Sequence, residues 1–151
     1  MYYTFYINVQ PYLQQWAIHH FGNPVEFPRD SPENRLIKRF IEKQPTNTPP
    51  TTNGNLAIKI PMSKEKDPRN GYFYMPPRAA NLIKESLYSI FIQNLWTELG
   101  DSHNFNCELT SLIYTWLNKH NISDQYWECI RQKYYRLRKS YAQKGIKLAN
   151  Y

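Results

Sequence analysis

The sequence has few of the residues that build disulfide scaffolds or phosphate loops. It contains two cysteines, Cys107 and Cys129, and five glycines that do not cluster. Two thiols form no disulfide framework, and scattered glycines exclude a glycine-rich phosphate loop. No stretch approaches the ~20 consecutive apolar residues of a membrane-spanning helix. The first five residues lack the basic start of a signal peptide. We therefore expect a protein of the reducing cytoplasm that does not enter membranes.

A recognisable catalytic or metal-binding pattern is also missing. No Cys-x-x-Cys pair is present, and no compact zinc module has the spacing of the four candidate ligands His103, Cys107, His120 and Cys129. His19 and His20 are adjacent and fall on a predicted helix, unlike the spaced histidines of metal-dependent nicking enzymes. No Ser/His/Asp or paired-carboxylate arrangement follows from the spacing. We predict no catalytic residues, no cofactor, no metal and no small-molecule substrate.

Positive charge is what the chain has in excess, and it is concentrated towards the end. The formal net charge is +7, from 19 Lys and Arg against 12 Asp and Glu. Residues 130–151 contain no acid and seven basic side chains: Arg131, Lys133, Arg136, Arg138, Lys139, Lys144 and Lys147. A local excess of this kind favours a polyanionic partner, and nucleic acid before an anionic membrane.

Hydrophobic periodicity predicts an α+β fold. Residues 1–44 predict a strand followed by two helices, and residues 45–55 are rich in breakers and predict a flexible loop. Residues 56–76 alternate in two short runs and predict a hairpin, which together with the first strand would make one small sheet. Residues 77–151 predict three helices that end in a helix-turn-helix region.

The last two predicted helices resemble the helix-turn-helix of DNA-binding proteins over residues 107–140. Asn121 takes the turn position often held by Gly, Ile122 is the apolar plug, and Ser123 caps the next helix. The longer helix before them completes a tri-helical unit. The resemblance implies a recognition helix in the major groove of double-stranded DNA, and it makes a homodimer on two half-sites a reasonable hypothesis.

The last helix has two faces that predict two roles. At ~100° per residue one arc is apolar and predicts packing, through Trp127, Ile130, Tyr134, Leu137 and Tyr141. The opposite arc predicts base contacts, because Arg, Gln, Tyr and Lys can bond base edges; its members are Arg131, Gln132, Tyr135, Arg136 and Lys139. Phosphate contacts are expected from Lys119, Arg138, Lys144 and Lys147.

The favoured hypothesis is a DNA-binding protein, regulatory or accessory to a mobile element, and three other interpretations remain open. A solvated amphipathic helix has the same charge pattern. A basic helix with Trp and Tyr on its apolar face can also lie on an anionic membrane. The main rival is a non-enzymatic protein-interaction or structural module, such as an accessory protein of a phage or mobile element.

Overall fold

A computed structural model describes residues 3–49, 54–100 and 109–143. Within those ranges the fold is α+β, as predicted, with five α-helices and four short strands. In chain order these are β1 (Thr4–Ile7), α1 (Pro11–Phe21), α2 (Pro32–Phe40), β2 (Glu42–Lys43), β3 (Leu56–Lys59), β4 (Tyr72–Tyr74), α3 (Pro77–Leu99), α4 (Leu109–Lys119) and α5 (Trp127–Gln143). Short 3-10 turns precede β4 (Pro68–Asn70) and α5 (Asp124–Tyr126).

Backbone contacts group the chain into two compact units, Met1–Tyr88 and Ser89–Tyr151. The predicted segments 1–44, 45–55 and 56–76 all fall in the first unit, and the boundary lies within α3. Of the predicted loop, residues 45–49 and 54–55 are described and contain no helix or strand. None of the described helices is both long and apolar enough to cross a membrane.

Capping residues set the helix ends in the first unit. Pro11 occupies the first position of α1, where its fixed φ suits the helix, and Gly22 follows the last residue with a φ of 88°. Ser31 caps α2, because its Oγ accepts a hydrogen bond from the Asn34 amide at 3.2 Å. Local cap chemistry thus accounts for where both helices begin and where α1 ends.

The strands form two separate antiparallel pairs, so the hairpin predicted over 56–76 is wrong. β1 pairs with β3, with Thr4 opposite Lys59, while β2 pairs with β4. The single small sheet suggested by the sequence is therefore also wrong. Gly71 follows the 3-10 turn before β4, and its carbonyl accepts a hydrogen bond from the Gln44 amide at 2.8 Å. This bond extends the pairing of β4 with β2 by one further contact.

The pairing of β1 with β3 is explained by what it buries. Alternate residues of both strands are buried, and the core of the first unit includes Phe5, Ile7, Trp16, Phe27, Ile37, Leu56 and Ile58. Val25 adds an isolated parallel bridge to Ile58. Its amide donates to the Ala57 carbonyl, and its carbonyl accepts from the Lys59 amide, both at 2.8 Å. β3 is thus hydrogen-bonded on both edges.

The second unit is a helical core built from the end of α3, α4 and α5. Its fully or nearly fully buried side chains include Phe91, Leu95, Ile113, Trp116, Leu117, Ile130 and Tyr134. Trp96 lies with its ring centroid 5.8 Å from that of Tyr134 and 4.9 Å from that of Tyr141. Aromatic burial of this extent holds α5 in one rotation about its axis.

Candidate nucleic-acid interface

The turn between α4 and α5 has the local geometry that the sequence predicts. Asn121 has a φ of 58°, in the left-handed region that Asn tolerates better than most residues. Ile122 is buried, and its amide donates to the Leu117 carbonyl at 2.9 Å. The Ser123 Oγ accepts a hydrogen bond from the Gln125 amide at 3.5 Å, at the start of the 3-10 turn that leads into α5. The left-handed Asn121 and the buried Ile122 are as predicted, whereas Ser123 caps the 3-10 turn and not α5 itself, which begins at Trp127.

α5 has one buried face and one exposed face, as its periodicity predicts. Ile130 and Tyr134 are fully buried, whereas the opposite side presents five exposed residues, the first of them the acidic Glu128. We call the other four the α5 stripe: Gln132, Tyr135, Arg136 and Lys139. The last three lie three, four and seven residues after Gln132. At ~1.5 Å per residue the stripe therefore extends over about 10 Å of helix.

Arg131 lies beside the α5 stripe but is already engaged. Its Nη2 and Nε donate to the two carboxylate oxygens of Glu128 at 2.6 and 3.0 Å. Its guanidinium carbon is 5.6 Å from the ring centroid of Trp127 and 5.5 Å from that of Tyr135. The hydrogen bond from Arg131 holds the pKa of Glu128 below its usual value. Arg131 therefore forms a neutralised pair, and a base contact requires its release or its remaining N–H groups.

Lys119 is also ion-paired rather than free. Its Nζ lies 3.0 Å from Glu98 Oε1, and the same oxygen lies 2.8 Å from Nε2 of the buried His120. Burial raises the pKa of Glu98, but the hydrogen bonds from His120 and Lys119 outweigh it and hold that pKa below its usual value. The cluster joins the end of α3 to the end of α4. The Lys119 side chain remains 64% exposed, so a phosphate can still approach it.

Of the other three predicted phosphate contacts, the structure describes one. Arg138 is half-buried on the flank of α5, and Lys144 and Lys147 lie outside the described residues.

Two of the four candidate zinc ligands, His103 and Cys107, also lie outside the described residues. Among the residues that the structure describes, no three His, Cys, Asp or Glu side chains are grouped closely enough to hold a metal ion.

Sequence reasoning missed both acidic partners. The i,i+3 spacing of Glu128 and Arg131 is an available signal, because side chains three apart on a helix are neighbours. Glu98 lies 21 residues before Lys119, and no local pattern reveals that contact.

Comparisons of this chain with protein-family models, with curated proteins and with solved structures find no match.

Proposed function

We propose that this protein is a non-enzymatic, cytoplasmic DNA-binding protein that contacts double-stranded DNA through the α5 stripe. The observation that carries the proposal is the orientation of α5. Ile130 and Tyr134 are fully buried on one face of the helix, so the α5 stripe (Gln132, Tyr135, Arg136 and Lys139) is held on the exposed side. An α-helix that presents such a stripe fits the width of the major groove.

The chemistry of the stripe suits both kinds of DNA contact. Arg136 can donate two hydrogen bonds to a guanine edge, and Gln132 can pair with adenine. Lys139 and Tyr135 can reach phosphates, which fix the register of a protein on DNA. From residue 129 onwards the sequence contains no Asp or Glu. Repulsion of phosphates by acidic groups is therefore limited to the start of the helix.

Glu128 is the acidic group at that start, and we assign it a role in the same interface. Its carboxylate holds Arg131 between two aromatic rings and also accepts from Gln132 Nε2 at 3.4 Å. The pair lowers the charge available for nonspecific phosphate contacts. Base-edge hydrogen bonds from neighbouring side chains then contribute a larger share of the binding energy.

Fluorescence anisotropy with a short random DNA duplex at several salt concentrations tests the proposal. The test variant is Arg136→Ala/Lys139→Ala. The matched control, Arg78→Ala/Lys43→Ala, removes one Arg and one Lys from exposed positions of the first unit. Loss of the phosphate contact of Lys139 lowers the slope of log affinity against log salt by about 0.9, and loss of the base contact of Arg136 lowers the affinity further by about 1–3 kcal/mol. If the test variant binds DNA with the affinity and slope of the control, α5 is not the interface.

One observation favours a second candidate, a protein-interaction module. Tyr114 stacks on Trp127 with ring centroids 5.7 Å apart, and Arg131 lies over both Trp127 and Tyr135. Tyr114 and Tyr135 are 41% and 44% exposed. Exposed aromatic and Arg side chains are enriched in protein interfaces. Binding through this group would change little with salt, which separates it from DNA binding in the same titration.

We further propose that the protein is regulatory or accessory to a mobile element and binds as a homodimer, since helix-turn-helix proteins commonly bind two half-sites about one helical turn apart. Sedimentation with and without DNA measures the stoichiometry. A single protomer per duplex at saturation would contradict the homodimer.

A further inference from the structure

A second group of cations lies on the first unit, along the exposed side of α2. Arg35, Lys38 and Arg39 occupy positions i, i+3 and i+4 of the helix, and all three are exposed. The other side of α2 is committed to the core, where Ile37 is fully buried. Because residues at this spacing are neighbours on a helix surface, the three cations form one face.

A fourth cation joins them from another part of the chain. Lys66 lies between β3 and β4, and its Nζ donates to the Arg39 carbonyl at 2.7 Å. With Ser63 and Glu65, the four cations line a shallow concavity of about 350 Å³. We call this group the α2 basic patch: Arg35, Lys38, Arg39 and Lys66. Two separate segments therefore supply charge of one sign to a single concave surface.

The acidic groups nearby compensate the α2 basic patch only in part. Hydrogen bonds to the Glu65 backbone and to Ser63, and after them the charge of Lys38, lower the pKa of Glu65. Glu65 is the one carboxylate that lines the concavity, and its Oε2 accepts a hydrogen bond from Ser63 Oγ at 3.0 Å. Asp67 is paired with Arg69 at 2.7 Å. In the described parts of the chain, no cation of the patch has a carboxylate oxygen within the 4.0 Å of an ion pair.

The positive surface extends beyond one concavity. Lys38 also lines a neighbouring hollow of about 430 Å³, together with Arg29 and Lys59. Lys59 is paired there with Glu26 at 3.2 Å, whereas Arg29 is exposed. A row of cations that runs from one hollow to the next suits a ligand with repeated negative charges better than it suits a single small anion.

We propose that the α2 basic patch is a second site for the phosphate backbone of nucleic acid, separate from α5. The forked guanidinium groups of Arg35 and Arg39 match phosphate oxygens bidentately, and the two lysines supply point charges. A membrane surface is a poorer match, because an interfacial helix inserts its apolar face into lipid, whereas Ile37 of α2 is fully buried in the core and Leu36 and Phe40 are half-buried. The proposal stands whether or not α5 binds DNA.

The test compares two variants of the full chain with equal loss of charge. Arg35→Gln/Lys38→Gln removes two cations of the α2 basic patch, and Arg78→Gln/Lys43→Gln removes two that line neither concavity. Each is made in the wild-type chain and in the Arg136→Ala/Lys139→Ala background. Anisotropy with duplex DNA and with a single strand gives affinity at several salt concentrations. Far-UV circular dichroism checks the fold, and Arg39→Gln/Lys66→Gln replaces the first variant if it unfolds.

The patch variant is expected to lower the log–log salt slope by about 1.8 relative to its control, in both backgrounds. If the patch variant lowers the salt slope and the α5 substitutions do not, the result supports the α2 basic patch and contradicts binding through α5. Equal binding by patch and control variants would overturn the proposal. The proposal would also be overturned if the patch variant still binds nucleic acid but no longer binds phosphatidylserine vesicles or inorganic pyrophosphate. The ligand of the patch would then be a membrane or a small anion.

Discussion

The Glu98 cluster offers a measurable test of how the second unit is held together. Glu98 accepts from His120, whose side chain is 4% exposed, and from Lys119, whose side chain is 64% exposed. A buried hydrogen bond to a charged group contributes about 1.5–3 kcal/mol, whereas an exposed ion pair contributes about 0.2–1 kcal/mol. Glu98 also lies in the last turn of α3, where the helix dipole disfavours a carboxylate by about 0.3–1 kcal/mol.

These contributions predict that removal of the Glu98 side chain and removal of the Lys119 side chain lower the stability by different amounts. Glu98→Ala should lower the free energy of unfolding by about 1.5–3 kcal/mol, and Lys119→Ala by less than about 1 kcal/mol. Urea denaturation followed by tryptophan fluorescence suits the comparison, because three of the four tryptophans lie in Ser89–Tyr151. Equal losses from the two variants would refute the argument that burial of His120 makes its bond the stronger one.

The same cluster predicts a direction for the pH dependence. The pKa of Glu98 is lower in the folded protein than its ordinary value of 4.5. Its contribution to stability is therefore complete above that ordinary value and is lost as the pH falls through the lowered pKa. Glu98→Gln should be less stable than wild type near neutral pH, and the difference should shrink in acid. A difference that is constant from neutral to acidic pH would contradict the lowered pKa.

Three further predictions concern single positions. Asn121→Val should lower the free energy of unfolding by about 1–3 kcal/mol, because a β-branched residue is strained at a φ of 58°. Asn121→Gly should not lower it. Equal midpoints of urea denaturation for the two variants would show that the turn tolerates both. Gly71→Ala should lower the free energy of unfolding, measured by calorimetry, by about 1–2 kcal/mol. The φ of Gly71 is 93°, and none of the neighbours that the structure describes lies within 4 Å of an added Cβ, so the cost comes from the backbone conformation. Glu128→Gln should release Arg131 and raise the affinity for duplex DNA about two- to fivefold, a change that corresponds to the free energy of an exposed ion pair. An unchanged affinity would place Arg131 away from the DNA.

Much of the local structure follows from the sequence, because its causes are local. The caps at Ser31 and Gly22, the left-handed Asn121 and the two faces of α5 each depend on residues within a few positions of one another. Side-chain periodicity and cap chemistry act over that range. For the same reason the exposure of Gln132, Tyr135, Arg136 and Lys139 was predictable from the sequence.

The features that sequence reasoning missed depend on contacts between distant parts of the chain. Alternation identifies β3 as a strand, but not its pairing with β1 or its bridge to Val25. The two residues of β2 are too few for a periodic signal. The fourth cation of the α2 basic patch, Lys66, lies 27 residues from the carbonyl that it contacts on Arg39. Such pairings are decided by burial in the folded chain, which a local pattern does not encode.

The pairing of β1 with β3 has a consequence for the order in which the chain acquires structure. Thr4 meets Lys59 only after the intervening residues, with α1 and α2 among them, have been brought together. Closure of so long a loop costs entropy before the strand contacts repay it, whereas helical contacts of short sequence separation form quickly. During synthesis from the N-terminus, β1 therefore remains unpaired until β3 has left the ribosome. Because an unpaired strand can pair with another chain, aggregation is the main hazard during that interval.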